Sequence, residues 1–131
     1  MIYEITSDGL LTLLGNQNMT FDETKEFCAS IPGHRMAMTK KKTQIEVLKD
    51  LQKRAGGAEI WVDLVKSDVG LPIWGDGTPY NDTEASQVAK AFDEEGVLTV
   101  FRFVNQHFHD RIKSILCLPL CQANPLDNDE W

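Results

Sequence analysis

A change of hydrophobic period near residue 59 limits what this chain can become. Before it, apolar side chains recur twice at helical spacing. The stretch Thr20-Phe21-Asp22-Glu23 sets a threonine three residues ahead of a glutamate, the reciprocal pairing that satisfies backbone donors where a helix starts. Phe21, Thr24, Phe27 and Cys28 then share one side, which turns Cys28 inward, until Pro32-Gly33 ends the run. A second start, Thr43-Gln44-Ile45-Glu46, leads into a stripe of Ile45, Val47, Leu48 and Leu51 and a stop at Gly56-Gly57. Beyond it, segments 60–65, 71–74, 97–104 and 114–120 are short, rich in branched and aromatic residues, and bounded by Gly, Pro, Asp or Asn, as strands are. Segments 2–5 and 10–14, joined at Ser7-Asp8-Gly9, read as a hairpin.

Within the strand-rich part, Ile60-Trp61 and Ile73-Trp74 place two indoles close together at strand edges. Each buries a large area, so they are anchors of a core, a platform for ligand, or both. From Gly77 to Gly96 no strand is convincing, although 85–92 has the makings of a short helix. Loops of that length inside a compact domain are uncommon and usually functional. The end, Ala-Asn-Pro-Leu-Asp-Asn-Asp-Glu-Trp over 123–131, is polar and acidic and reads as a loose tail or linker after a domain spanning 1–122.

The net charge of −7 argues against nucleic acid and anionic membranes, since the one cationic run, Lys40-Lys41-Lys42, reads as a solvated helix start. No stretch approaches the length of a membrane span, so direct insertion is not expected. The N-terminus lacks the basic and apolar regions of a secretory leader, which fits an intracellular chain or one whose leader has been removed. Asn18 and Asn81 each open an Asn-x-Thr sequon and lean towards secretion. Cys28, Cys117 and Cys121 allow one bridge in three pairings, with one thiol left over.

No enzyme signature emerges. Gly75-Asp76-Gly77-Thr78-Pro79-Tyr80 begins like a dinucleotide fingerprint but lacks its third glycine, and Pro79 does not open the helix such a motif needs. His107 and His109 would share a strand face, yet no sequence neighbour completes a zinc tetrahedron. No cofactor is expected.

Taken in order, "MTFDETKEFC", "IWVDL", "IWGDGTPY" and "LPLCQ" resemble the C-type lectin-like domain over residues 3 to 122. The second stands where the family usually has Trp-Ile-Gly-Leu, and the third where it has Trp-Ser-Asp-Gly. The resemblance implies an α+β fold of two helices packed on small antiparallel sheets with a long loop region. It also implies a bridge from Cys28 to Cys121, with Cys28 to Cys117 the competing pairing, and such a bridge belongs to an oxidising compartment. Relatives usually carry a second, inner bridge, whose positions here fall near Gly96 and Lys113, so both partners are absent together.

Sugar-binding relatives hold calcium with one triplet in the long loop and another before the last strand. Neither triplet is present: the loop reads Thr78-Pro79-Tyr80-Asn81-Asp82, and Phe108-His109-Asp110 keeps only the aspartate. Asp82, Glu84, Glu95 and Asp110 are weak metal candidates, outweighed by a solvated-loop reading.

The resulting expectation is a non-catalytic extracellular recognition module that binds a protein partner or a glycan without the usual calcium site. Its ligand-contacting residues would be Trp74, Tyr80, Asn81, Asp82, Glu84, Phe101, Arg102, Phe103, His107, His109 and Asp110. Rivals are calcium-dependent sugar binding through a rearranged site, and a structural unit of a larger matrix or receptor protein, with a homodimer bridged through Cys117.

Overall fold

The computed structural model describes residues 2–5, 9–94, 96, 99–128 and 131. In chain order the elements are β1 (Ile2–Ile5), β2 (Leu11–Leu14), α1 (Phe21–Ser30), β3 (His34–Met36), α2 (Lys42–Arg54), β4 (Ile60–Lys66), β5 (Pro72–Trp74), a 3-10 turn (Tyr80–Asp82), α3 (Ala85–Val88), β6 (Ala91–Phe92), β7 (Val100–Val104), β8 (His107–Arg111) and β9 (Leu118–Ala123). The architecture is α+β. Rather than separate small sheets, the strands join in the order β1-β2-β9-β4-β7-β8-β6, with β3 attached to β9 and β5 to β4. Two pairings, β4 with β9 and β6 with β8, are parallel.

The first helix starts as its sequence dictates. Glu23 N–H donates to the Thr20 hydroxyl at 3.2 Å while Thr20 N–H donates to the Glu23 carboxylate at 2.9 Å. The second starts earlier than the Thr43 box implies. Its cap is Lys41, whose N–H donates to the Gln44 carboxamide at 3.0 Å, and the next donor, Lys42 N–H, reaches Glu84 at 3.1 Å. A carboxylate from the long loop thus satisfies a helix end that local sequence leaves open.

The pivotal strand is β4. Ile60, Val62 and Leu64 pack with Leu48, Leu51, Trp74 and Phe103 on the α2 side, whereas Trp61 packs with Leu13, Phe21, Cys28 and Cys121 on the α1 side. The strand is therefore buried on both faces, and the two indoles anchor two different cores. Trp61 meets the Phe21 ring edge-on at 5.6 Å and donates its indole N–H to the Met19 carbonyl at 2.9 Å.

Cys28 and Cys121 are joined, 93 residues apart in sequence, tying α1 to β9. Cys117 lies outside β9 in an isolated bridge to Met19, is buried, and has its thiol pushed up to about 12, chiefly by burial. Cys117 is a free thiol packed with Leu13, Phe21 and Trp61 like a small apolar residue, and at 1% exposure it is not presented to a second chain. Among the described residues no helix is long and apolar enough to cross a membrane.

Strand ends also shift. The last strand runs from Leu118 to Ala123, starting four residues and ending three residues later than the expected 114–120. His107–Arg111 forms a full strand, while the start expected at Val97, together with Ser7, Asp8 and Glu95, lies outside the described residues. The tail folds back: Asn124 and Asn128 exchange two hydrogen bonds, and Trp131 stacks over the Arg35 guanidinium at 3.7 Å.

Candidate functional site

The long loop leaves β5 through a tight turn. Gly77 takes a φ of +92°, and Thr78 N–H donates to the Asp76 carboxylate at 3.0 Å. Lys40 forms an ion pair with the same carboxylate. Partial burial works against the Asp76 charge, but the bonds from Lys40 and Thr78 outweigh it and pull its pKa down to about 2. Gly75 is required for a different reason: a Cβ there would sit 2.0 Å from an Asp63 carboxylate oxygen. Asp63 is buried, with Lys25 3.6 Å away, and desolvation raises its pKa.

The loop then dives into the core. Tyr80, Trp74 and Phe108 stand 5.7 to 5.9 Å apart by ring centroid, and Phe103 joins Phe108 at 5.2 Å. The Tyr80 hydroxyl donates to the Ala89 carbonyl at 2.6 Å, and the Trp74 indole N–H donates to the Thr83 hydroxyl at 3.3 Å. Trp74, Tyr80, Phe101 and Phe103 are at most 2% exposed. Their expected role as ligand contacts is corrected: these rings hold the loop against the protein and present no surface to a partner.

Asp110 is interior as well. Its carboxylate receives Lys66 Nζ at 2.7 Å and the Glu94 N–H at 2.8 Å, and the same ammonium contacts Asp93. Both the Lys66 and Asp110 side chains are buried. Burial disfavours the ammonium, yet the bonds to Asp110 and Asp93 prevail and raise its pKa. Carboxylates from the long loop and from the strand before the last do converge, but on a cation supplied by the chain itself. Calcium takes six to eight hard oxygens; here two of the carboxylates are spent on an ammonium, and Glu84 is spent on α2. The residues present do not fit the ion. Among the described residues no three His, Cys, Asp or Glu side chains are grouped to hold a metal, and Glu95 lies outside them.

The remaining candidates divide into two exposed areas. Asn81, Asp82 and Glu84 are exposed, and the last two line a cleft of about 580 Å³ with Lys40, Asp76 and Thr83. Asn18 is also exposed. On the outer face of β8, His107 and His109 flank the half-buried Phe92 ring at 5.6 and 5.0 Å. His109 pairs with Glu94, and His107 Nδ1 accepts the Lys90 N–H at 3.0 Å. Arg102 is not free for ligand: it bonds Glu59 at 3.2 Å and the carbonyls of His109 and Asp110 at 3.0 Å each. Sequence reasoning missed Lys66 and Phe92. A charged residue at position 66, ending a strand in which Asp63 is the other charged residue, was the available hint.

No family model matches the chain, and no curated protein sequence matches it. Solved structures do. The C-type lectin TC14 of the tunicate Polyandrocarpa misakiensis superposes with a TM-score of 0.72 at 13% identity, over 88% of this chain and 98% of that one. Human lithostathine gives 0.73 at 10% identity, over 93% and 88%. The carbohydrate-recognition domain of the mouse scavenger receptor C-type lectin gives 0.71 at 13% identity, over 93% and 95%. What the chain shares with these proteins is its architecture, and that architecture is the C-type lectin-like fold.

Proposed function

We propose that this domain is a non-catalytic extracellular recognition module that binds its protein or glycan ligand without a divalent ion. One observation carries the reading: the Lys66 ammonium sits between Asp93 and Asp110. A buried fixed cation repels a second cation strongly at such range and already neutralises the groups that would hold it. On this reading the ligand is met by the surface of the long loop and of β8, where Asn81, Asp82, His107 and His109 lie. The Cys28–Cys121 bridge supports an oxidising, extracellular setting, in which the exposed Asn18 and Asn81 sequons would be accessible to glycosylation.

A binding array of glycans and protein ectodomains, run with calcium and again with chelator, tests this. Retention is expected to be the same in both. Retention that disappears with chelator, or a thermal midpoint that rises on adding millimolar calcium, would overturn the reading.

A further inference from the structure

We propose that the cleft between the second half of α2 and the β7–β8 turn, continued along β8 to Phe92, binds the sulfate groups of a sulfated glycan. This rests on the reading of the domain as an ion-independent recognition module and names its ligand class. The cleft holds about 500 Å³ and is lined by Lys49, Lys53, Asp50, Asn105 and Gln106 among others.

Two features there work against the stability of the free protein, and both line one space. Lys49 and Lys53 are one helical turn apart on α2, an arrangement in which like charges repel. The turn joining β7 to β8 puts both Asn105 and Gln106 at positive φ, 52° and 68°. Glycine is the usual choice at the second of these positions, so Gln106 incurs strain that its carboxamide in the cleft would justify. Asp50, the acid in the lining, is bonded to Arg54 at 3.3 Å, which leaves the lysines as the cleft's dominant charges.

Past the turn the strip continues towards Lys90, whose N–H donates to His107 Nδ1 at 3.0 Å. His107 follows the turn directly, and burial together with the charges of His109, Lys49 and Lys90 lowers its pKa. In a chain of net charge −7, a strip that carries Lys49, Lys53 and Lys90 is complementary to an anion rather than to the bulk of its own surface. The half-buried Phe92 ring beside His107 supplies a flat apolar face for the C–H side of a sugar, and the Asn105 and Gln106 carboxamides match hydroxyls. An acidic peptide would use the lysines but not this combination.

The test is calorimetric titration of the intact, disulfide-bonded chain with a heparin-derived hexasaccharide and its desulfated counterpart, with chelator and with calcium. The sulfated form is expected to bind, the desulfated form at least 10-fold more weakly, and affinity should fall steeply as salt rises. The K49E/K53E variant should lose at least 10-fold, while Lys113→Glu, on the α1 side, should bind as the unaltered chain does. Gln106→Gly should melt higher yet bind more weakly, a divergence that a purely structural role cannot give. Equal binding of both hexasaccharides, no binding of either, or full affinity in K49E/K53E would overturn the assignment while leaving ion-independent recognition standing. Binding that requires calcium would overturn that broader reading instead.

Discussion

The two regions that flank β4 are secured by opposite chemistry. Towards α1, a covalent bond between Cys28 and Cys121 sits among Leu13, Phe21, Met36 and Trp61. Towards the long loop, a buried ammonium bridges Asp93 and Asp110 beside packed aromatic rings. The first clamp is indifferent to pH and vulnerable to reductant; the second is the reverse. A fold can thus keep its frame oxidatively locked while its variable segment depends on charges inside the chain.

Removing the covalent clamp should have the largest effect. Replacing both cysteines by serine is expected to cost on the order of 4 kcal/mol, because the open chain regains the freedom of a 93-residue loop. Denaturant titration of the variant should coincide with that of reduced unaltered protein; a loss below about 1 kcal/mol would mean the apolar packing alone holds α1 to β9.

Breaking the ionic clamp comes next. Lys66→Met leaves the buried Asp110 carboxylate without its cation and should cost about 3 kcal/mol, with much of that regained in the Lys66→Met/Asp110→Asn double variant. The same clamp sets an alkaline limit. Since the Lys66 pKa is raised above its ordinary 10.5, its contribution is complete below that pH and disappears as pH climbs through the higher folded value. Denaturation curves between pH 9 and 12 that do not change slope in the unaltered chain relative to Lys66→Met would sink the comparison.

The smallest effect probes the strand between the regions. Gly75→Ser should cost about 2 kcal/mol by forcing an atom into the Asp63 carboxylate, and Asp63→Gly in the same chain should remove most of that penalty. Additive losses would show that the two positions are independent.

These same residues explain what the sequence made legible. Thr20 and Glu23 specify the α1 start locally, and the short run of branched and aromatic residues in β4 predicts a strand, because both depend on neighbours a few residues away. The departures from the usual Trp-Ile-Gly-Leu and Trp-Ser-Asp-Gly patterns were visible, but not their linkage, since Asp63 and Gly75 meet only in three dimensions. Lys41 rather than Thr43 caps α2 because Glu84, 42 residues on, completes that end. Trp74, Tyr80, Phe101 and Phe103 were assigned to a binding surface because an aromatic beside a long loop has the same spelling whether it faces in or out. Lys66 ends a strand like any solvated lysine, and only Asp93 and Asp110 make it internal.

Cys117 offers a clock. Its sulfur is buried in the same cluster as the bridged pair, and a thiol so reluctant to ionise is mute towards alkylating reagents until water reaches it. The speed at which such a reagent labels the oxidised protein therefore reports how often the segment against Met19 breathes, with no probe introduced from outside.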